Sequence, residues 1–342
     1  MFSPSASTWL KPLSAFALAC TAALAAHAQT KEVVIGYQDM VVPWRYAQET
    51  KQLEEKTGYK VTYRQIGSGA EVARALASGA IQIGEAGSAP FAAAISQGVP
   101  IEIFWILDNI NEAEALVARN GSGVNSVADL KGKKIALPFA STTHFHLLVA
   151  LEKAGIKANE VQILNLRPPE ALAAWQRGDI DATFIWNPVL QQVKQSGTVL
   201  LTSGQIAKDT GKATFDALAV RKDFAQKNDA FLKEFVNVLA TADANYTNHT
   251  TAWSVDSPQA KAVAKWSGAE LASVPDSLAL YAFVPPKEQA SATWLGGGKN
   301  SVVAQSLAAT AAFLKDQGSV ATVLDDYSIG INPRWVESAT PQ

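Results

Sequence analysis

Short apolar segments alternate with segments of helical periodicity along most of this chain. This alternation is typical of parallel β-sheets that carry helices on both faces, because each strand returns through a helix before the next strand begins. We therefore expect an α/β fold. The predicted strands are 33–37, 61–66 and 81–84, the predicted helices are 43–56, 70–78 and one that begins within 87–90, and further strand–helix units lie at 135–151, 161–175 and 181–192.

Two helix starts are marked by the residues that precede them. Ser68 and Glu71 have the spacing of a capping box, in which each side chain accepts a hydrogen bond from the other residue's amide. Pro90 stands in the first turn of the next helix, where its missing N–H group has no effect on the helix. These residues fix where two strands turn into helices.

Ligands of open α/β sheets bind at the carboxyl ends of the strands, where each strand turns into its helix. The predicted turns at this edge are rich in glycine and hydroxyl groups and carry little formal charge. Glycine allows close backbone approach, and hydroxyl groups bind small polar ligands. These turns contain Gln38, residues 67–69, Gly87, Ser88, residues 141–144, Arg167 and residues 186–188.

The turn at 140–144 has the features of an anion site. It follows a short apolar strand and precedes a helical pattern, and Ser141 is placed to cap that helix. The first helical amides have no partner within the helix, and the helix dipole adds positive potential there. Because no lysine or arginine is near, the site suits an oxyanion held by hydrogen bonds inside a cleft.

Residues 1–28 have the pattern of a secretory signal peptide. Lys11 is the only charge before Lys31, an apolar run occupies 12–26, and Ala26-His-Ala28 forms a cleavage pattern. A transmembrane anchor is the alternative, but the run is too short to span a bilayer. A lipoprotein signal ending at Cys20 is a second alternative, and its residue order fits poorly.

Composition excludes several classes of protein. The formal net charge is −2 for 342 residues, so no basic field for nucleic acid is present. The single cysteine, Cys20, lies within the predicted signal peptide, and a mature chain without it forms no disulfides. No later segment has the apolar length of a membrane span. We expect a soluble, monomeric, two-domain periplasmic protein of a bacterium.

Two extended segments, 114–119 and 215–221, flank the middle of the chain. We interpret them as crossovers between two lobes. The first lobe is predicted to contain 29–116 and 218–342, and the second 117–217. The chain beyond Asp223 is predicted to be mostly helical, with a strong amphipathic helix at 231–246.

No catalytic set is evident in the sequence. His144 and His146 are two residues apart on a helix, so they face different directions and make a poor metal pair. Residues 296–300 lack the first glycine and the final hydroxyl of a phosphate-binding loop. We therefore expect neither an enzyme nor a cofactor.

Three residues at the predicted cleft have two interpretations each. Asp216 lies inside an apolar run, where a lone carboxylate is unfavourable unless it is paired. It is either a hinge residue bonded to nearby amides or the counter-charge of a cationic ligand group. Glu114 is a solvated strand end or a lining residue, and Trp186 belongs to the lobe core or forms a wall of the cleft.

These residues stand in segments that resemble one known family. The chain resembles the periplasmic taurine-binding proteins of ABC importers, within the wider superfamily that binds sulfonates, nitrate and thiamine precursors. The resemblance runs through most of 33–224 and weakens beyond it. It is carried by residues 36–38, 68–70, 74–79, 82–84, 87–88, 99–102, 114–117, 138–139, 141–144, 173–181, Trp186, Pro188 and 220–224.

The resemblance implies a two-lobed, type II periplasmic binding fold with the ligand between the lobes. The ligand would be taurine, delivered to an inner-membrane ABC permease, with a plain alkanesulfonate receptor or an exported enzyme as alternatives. The chain departs from the usual pattern at 85–86 and 39–44, which flank the expected cleft. The implied sulfonate contacts are Ser88, Thr142 and Thr143, the implied ammonium partner is Asp216, and further lining residues are Gln38, Glu114, His144 and Trp186.

Overall fold

A computed structural model of the protein describes residues 31–339. The predicted signal peptide, residues 1–28, lies outside the described residues. The strands are β1 Glu32–Tyr37, β2 Lys60–Gln65, β3 Ile83–Gly87, β4 Ile101–Asn109, β5 Glu114–Arg119, β6 Lys134–Leu137, β7 Gln162–Asn165, β8 Ala182–Trp186, β9 Gly197–Thr202 and β10 Phe215–Arg221.

Helices follow most of the strands and fill the last third of the chain. The helices are α1 Arg45–Glu49, α2 Gln52–Thr57, α3 Gly69–Ser78, α4 Ser88–Ser96, α5 Thr142–Lys153, α6 Pro168–Arg177, α7 Val189–Lys194, α8 Ser203–Thr210, α9 Lys222–Ala225, α10 Asp229–Asn248, α11 Pro258–Ser267, α12 Val274–Leu278, α13 Pro286–Gln289 and α14 Val302–Asp316.

The strands form two sheets of five. The first sheet has the order β2-β1-β3-β10-β4, with β1, β2 and β3 parallel and β10 antiparallel to both of its neighbours. The second has the order β7-β6-β8-β5-β9, with β5 antiparallel to both of its neighbours. The α/β fold with two sheets is confirmed.

The predicted lobe boundaries fall inside strands. β5 pairs throughout with β8 and β9 of the second sheet, and β10 pairs throughout with β3 and β4 of the first. Neither strand crosses between sheets, so the interpretation of 114–119 and 215–221 as crossovers is wrong. The chain changes sheet at 110–113 and again at 203–214.

Local structure differs from the sequence prediction in the first helix and in two strands. The helix predicted at 43–56 is two helices, because Lys51 between them has a left-handed backbone with φ of 55°. β4 and β9 were not predicted. β4 lies at the edge of the first sheet and is almost wholly buried, so its continuous apolar run shows no alternation.

The core forms on both sides of the first sheet and around the second. The amphipathic helix predicted at 231–246 is α10, and its apolar side chains are buried against the first sheet. No helix within residues 31–339 is long and apolar enough to cross a membrane. The same stretch of chain holds no group of three or more histidine, cysteine, aspartate or glutamate side chains arranged to bind a metal ion.

Candidate functional site

A cleft with about 350 Å³ of open space lies between the two sheets. The first sheet contributes residues that follow β1, that end β3 and that begin β10. The second sheet contributes the first residue of β5 and the last residue of β8, and α5 contributes its first residue. The cleft is lined by Gln38, Met40, Gly69, Gly87, Pro90, Glu114, Ser141, Thr142, Trp186, Asp216 and Tyr281.

Three helices begin at the cleft. Gly69 is the first residue of α3, Gly87 is the N-cap of α4, and Thr142 is the first residue of α5. The first amides of each helix lack intrahelical partners and carry the positive end of the helix dipole. Because no lysine or arginine lines the cleft, these helix starts supply its positive potential.

Ser141 caps α5 as predicted. Its hydroxyl oxygen accepts a hydrogen bond from the His144 amide at 3.1 Å, and the hydroxyl also donates to the Pro138 carbonyl at 2.6 Å. The Thr143 hydroxyl lies 2.8 Å from the Ser141 oxygen and is fully buried behind it. The turn is therefore held rigid, with Thr142 as the threonine that lines the cleft.

Glu114 lies beside Thr142 and is opposite Trp186 in the pairing of β5 with β8. The Thr142 hydroxyl donates to one carboxyl oxygen of Glu114, and the Ser203 hydroxyl is 2.9 Å from the other. Burial raises the pKa of Glu114 to about 7, and the hydrogen bond from Thr142 acts against that rise. A carboxyl group whose pKa is near neutral therefore lies beside the first residue of α5.

Asp216 is the second carboxyl group of the lining, and it is 5% exposed. It lies opposite Asp108 in the pairing of β10 with β4, next to a bulge in the ladder. Asp108 is fully buried, and neither of its carboxyl oxygens has a hydrogen-bond partner. Burial, followed by the charge of the opposed carboxylate, raises the pKa of Asp216. Two such carboxyl groups cannot both ionise unless a cation joins them.

A buried ion pair shapes the first-sheet side of the cleft. Arg45 and Glu85 are both fully buried and pair at 2.5 Å. Arg45 also donates to the Gln38 carbonyl at 2.9 Å, and Glu85 accepts from the Gln38 amide and the Trp44 indole, each at 3.2 Å. The segments 39–44 and 85–86 are thus joined by one network that positions Gln38.

Two side-chain contacts bridge the cleft. Each joins a residue that comes after a strand of the first sheet to a residue at or after the end of a strand of the second sheet. The Trp186 indole donates to Asp39 at 3.0 Å. Arg167 pairs with Glu71 at 3.1 Å, but the Arg167 side chain is 55% exposed. Arg167 is not among the residues that line the cleft.

The structure brings five of the eight predicted site residues together in the lining, and three lie behind it. Ser88 is fully buried, and its hydroxyl accepts from the Phe215 amide at 3.4 Å. Thr143 faces Ser141, and the His144 ring stacks on Phe139 with ring centroids 4.8 Å apart. Burial lowers the pKa of His144 to about 4, so its ring is neutral at pH 7. The five lining residues are Gln38, Glu114, Thr142, Trp186 and Asp216.

Sequence reasoning missed Met40, Tyr281 and Asp108. Met40 and Tyr281 line the cleft from loops. Nothing in the sequence around them indicates this, because tertiary packing alone places them. Asp108 did leave a signal, since it ends the apolar run of β4 in the way that Asp216 interrupts the run of β10.

The comparison with known families decides what kind of protein this is. Residues 46–251 match the family described as NMT1/THI5 like. The chain belongs to this family. The taurine-binding periplasmic protein of Escherichia coli (strain K12) is 38% identical to it over 320 residues, which cover 94% of this chain and 97% of that protein. The predicted resemblance is confirmed.

Solved structures agree with this relation. The periplasmic aliphatic sulphonate binding protein SsuA from Escherichia coli superposes with a TM-score of 0.69 at 25% identity, over 86% of this chain and 90% of that chain. The desulfurization enzyme DSZB shares the fold, with a TM-score of 0.62 at 12% identity over 90% of this chain and 98% of that chain. The fold therefore occurs in binding proteins and in an enzyme.

Proposed function

We propose that this protein is the periplasmic receptor of an ABC importer and that its cleft binds taurine. The observation that carries the proposal is the pairing of an anion site with a carboxyl group inside one small cleft. The helix starts and the Thr142 hydroxyl form the anion site, and Asp216 supplies the carboxyl group. The similarity to a taurine-binding periplasmic protein supports the same ligand.

The sulfonate is held at the starts of α4 and α5. The Thr142 hydroxyl, which donates to Glu114 before the ligand binds, turns to the sulfonate, while Ser88 and Thr143, whose side chains do not line the cleft, contribute backbone amides. A sulfonate spreads one negative charge over three oxygens, so several hydrogen bonds satisfy it without a cationic side chain.

The ammonium group is held by Asp216. The span between the two ends of the site is short, because a Cβ atom added to Gly87 would lie 2.6 Å from Thr142 Cγ2 and 3.2 Å from Asp216 Oδ1. Taurine is correspondingly short, with two carbons between its charged groups. The single charge of the ammonium group balances one ionised carboxylate of the opposed pair of Asp216 and Asp108.

The protein acts as a receptor and leaves its ligand unchanged. Its relatives by sequence are binding proteins, and the enzyme that shares its fold is only 12% identical. Export through the N-terminal segment and delivery to membrane permease subunits complete the proposed role. Closure of the two sheets over the ligand, held by Trp186 and Asp39, is the mechanism.

A thermal-shift titration of the purified protein tests the proposal. Taurine is expected to raise the melting temperature in a concentration-dependent way, because a ligand that binds only the folded state stabilises it. Nitrate is the matched small anion without an amine and is expected to produce a smaller shift. Taurine should be recovered unchanged after incubation. No shift at millimolar taurine, with a clear shift for another compound, contradicts the assignment.

A further inference from the structure

A chain of four hydrogen-bonding groups leads from the cleft into the second lobe. It begins at Glu114, passes through the Ser203 hydroxyl and the His146 ring, and ends at the backbone carbonyl of Lys212. Ser203 Oγ is 2.9 Å from Glu114 Oε2 and 2.7 Å from His146 Nδ1, and His146 Nε2 is 2.8 Å from the Lys212 oxygen. All three side chains are buried.

The positions of the protons in this chain follow from its far end. A backbone carbonyl can only accept a hydrogen bond, so His146 Nε2 carries a proton and donates it to Lys212. Burial lowers the pKa of His146 to about 4, so the ring is neutral at pH 7 and Nδ1 has no proton. Nδ1 must therefore accept, and the Ser203 hydroxyl is the donor within reach.

This assignment decides the state of Glu114. Ser203 has one hydroxyl proton, and that proton is directed to His146. The contact of 2.9 Å between Ser203 and Glu114 is then a hydrogen bond only if Glu114 Oε2 carries the proton and donates it. In the ligand-free protein the other carboxyl oxygen accepts from Thr142.

We propose that Glu114 is a protonated, uncharged positioning residue of the sulfonate site, and that Ser203 and His146 hold it in that state. This inference rests on the proposed function for its ligand, but the positions of the protons follow from contacts within the ligand-free protein alone. A neutral Glu114 allows an anion to bind beside it. An ionised Glu114 would repel the same anion from Thr142, so sulfonate binding is lost as Glu114 ionises.

Other charged groups near Glu114 do not replace this role. Asp216, Asp108 and Tyr281 lie close enough to Glu114 that an ionised Glu114 raises the pKa of each of them. The nearby residues therefore add further acidic groups and no cation. The buried Arg45 is paired with Glu85.

Ethanesulfonate affinity measured by calorimetry from pH 6 to pH 8.5 tests the proposal, because this ligand has no amine of its own to titrate. Wild-type affinity should fall about tenfold or more over this range, with the decline beginning near pH 7. Glu114→Gln reproduces a neutral acid, since its oxygen accepts from Thr142 and its amide donates to Ser203. This variant should match wild type at pH 6 and show a flat profile. An equal decline in both proteins overturns the proposal.

Two measurements on the ligand-free protein keep this test separate from the proposed function. The infrared difference spectrum between wild type and Glu114→Gln at pH 6 should contain the carbonyl stretch of a protonated carboxyl group. Nitrogen NMR should show His146 as the neutral tautomer protonated at Nε2. A carboxylate band and a doubly protonated ring would show that Glu114 is ionised. Failure of every sulfonate to bind, with these spectra as expected, refutes the proposed function and leaves the protonation state intact.

Discussion

Trp186 donates its indole hydrogen bond to Asp39 at 3.0 Å and so links the end of β8 in the second sheet to the loop after β1 in the first. Trp186 lines the cleft and is 6% exposed. Burial raises the pKa of Asp39 to about 6, and the Trp186 hydrogen bond limits that rise. The contact is therefore strongest when Asp39 is ionised, and it holds the two sheets together beside the cleft.

Trp186→Phe retains an aromatic wall and removes the donor. We expect taurine and ethanesulfonate affinity to fall together by roughly three- to tenfold, the value of one hydrogen bond of about 1 kcal/mol. Faster ligand release in stopped-flow measurements should account for the loss. Trp175→Phe is the matched control, because the Trp175 indole donates to Ser196 at 2.9 Å and neither residue lines the cleft. This variant should leave affinity unchanged. A loss confined to taurine would show that Trp186 contacts the ammonium end instead.

Thr142→Val removes the lining hydroxyl and keeps the side-chain volume. A hydrogen bond to a charged group contributes about 1.5–3 kcal/mol, so affinity for taurine and for ethanesulfonate should fall at least about tenfold. Thr143→Val is the neighbouring control, and we expect a smaller loss because that hydroxyl contacts Ser141. Equal binding by Thr142→Val and wild type in calorimetry would place the sulfonate elsewhere.

Asp108→Asn tests the opposed carboxyl groups through stability. Burial, then the neighbouring carboxylates, raises the pKa of Asp108 well above its ordinary value. The unfolded chain therefore ionises Asp108 first as the pH rises, and the wild-type fold loses stability over that interval. The variant lacks this loss, so its free energy of unfolding relative to wild type should rise from pH 4 to pH 7.

Urea unfolding at several pH values measures this difference. The exposed Asp256→Asn is the control, and its difference from wild type should not change with pH. A constant difference for Asp108→Asn would mean that the Asp108 carboxyl is ionised in the folded protein throughout the range.

Local sequence signals predicted the helix starts at the cleft well. Ser68 and Ser141 cap their helices as expected, because capping depends on residues two or three positions apart. The alternation of strands and helices likewise placed Gln38, Thr142 and Trp186 at strand ends, where the sheet topology gathers them into one cleft.

Features that depend on packing between distant segments were not predictable. The sequence shows neither that β5 and β10 each remain in one sheet nor that Tyr281 reaches the cleft from the C-terminal third. The chain of hydrogen bonds from Glu114 through Ser203 to His146 joins residues from three separate elements. No spacing rule connects such residues, because only the tertiary fold brings them together.

Recognition of taurine by this cleft requires that Asp216 binds the ammonium group. Asp216→Asn keeps the side-chain size and removes the charge, and truncating a buried charge pair typically costs about 2–5 kcal/mol. Calorimetric titration of this variant and wild type with taurine and ethanesulfonate measures the effect directly. We predict that taurine affinity falls at least about thirtyfold, while ethanesulfonate affinity is unchanged or improves. An equal loss for both ligands would show that Asp216 is structural and would contradict the account.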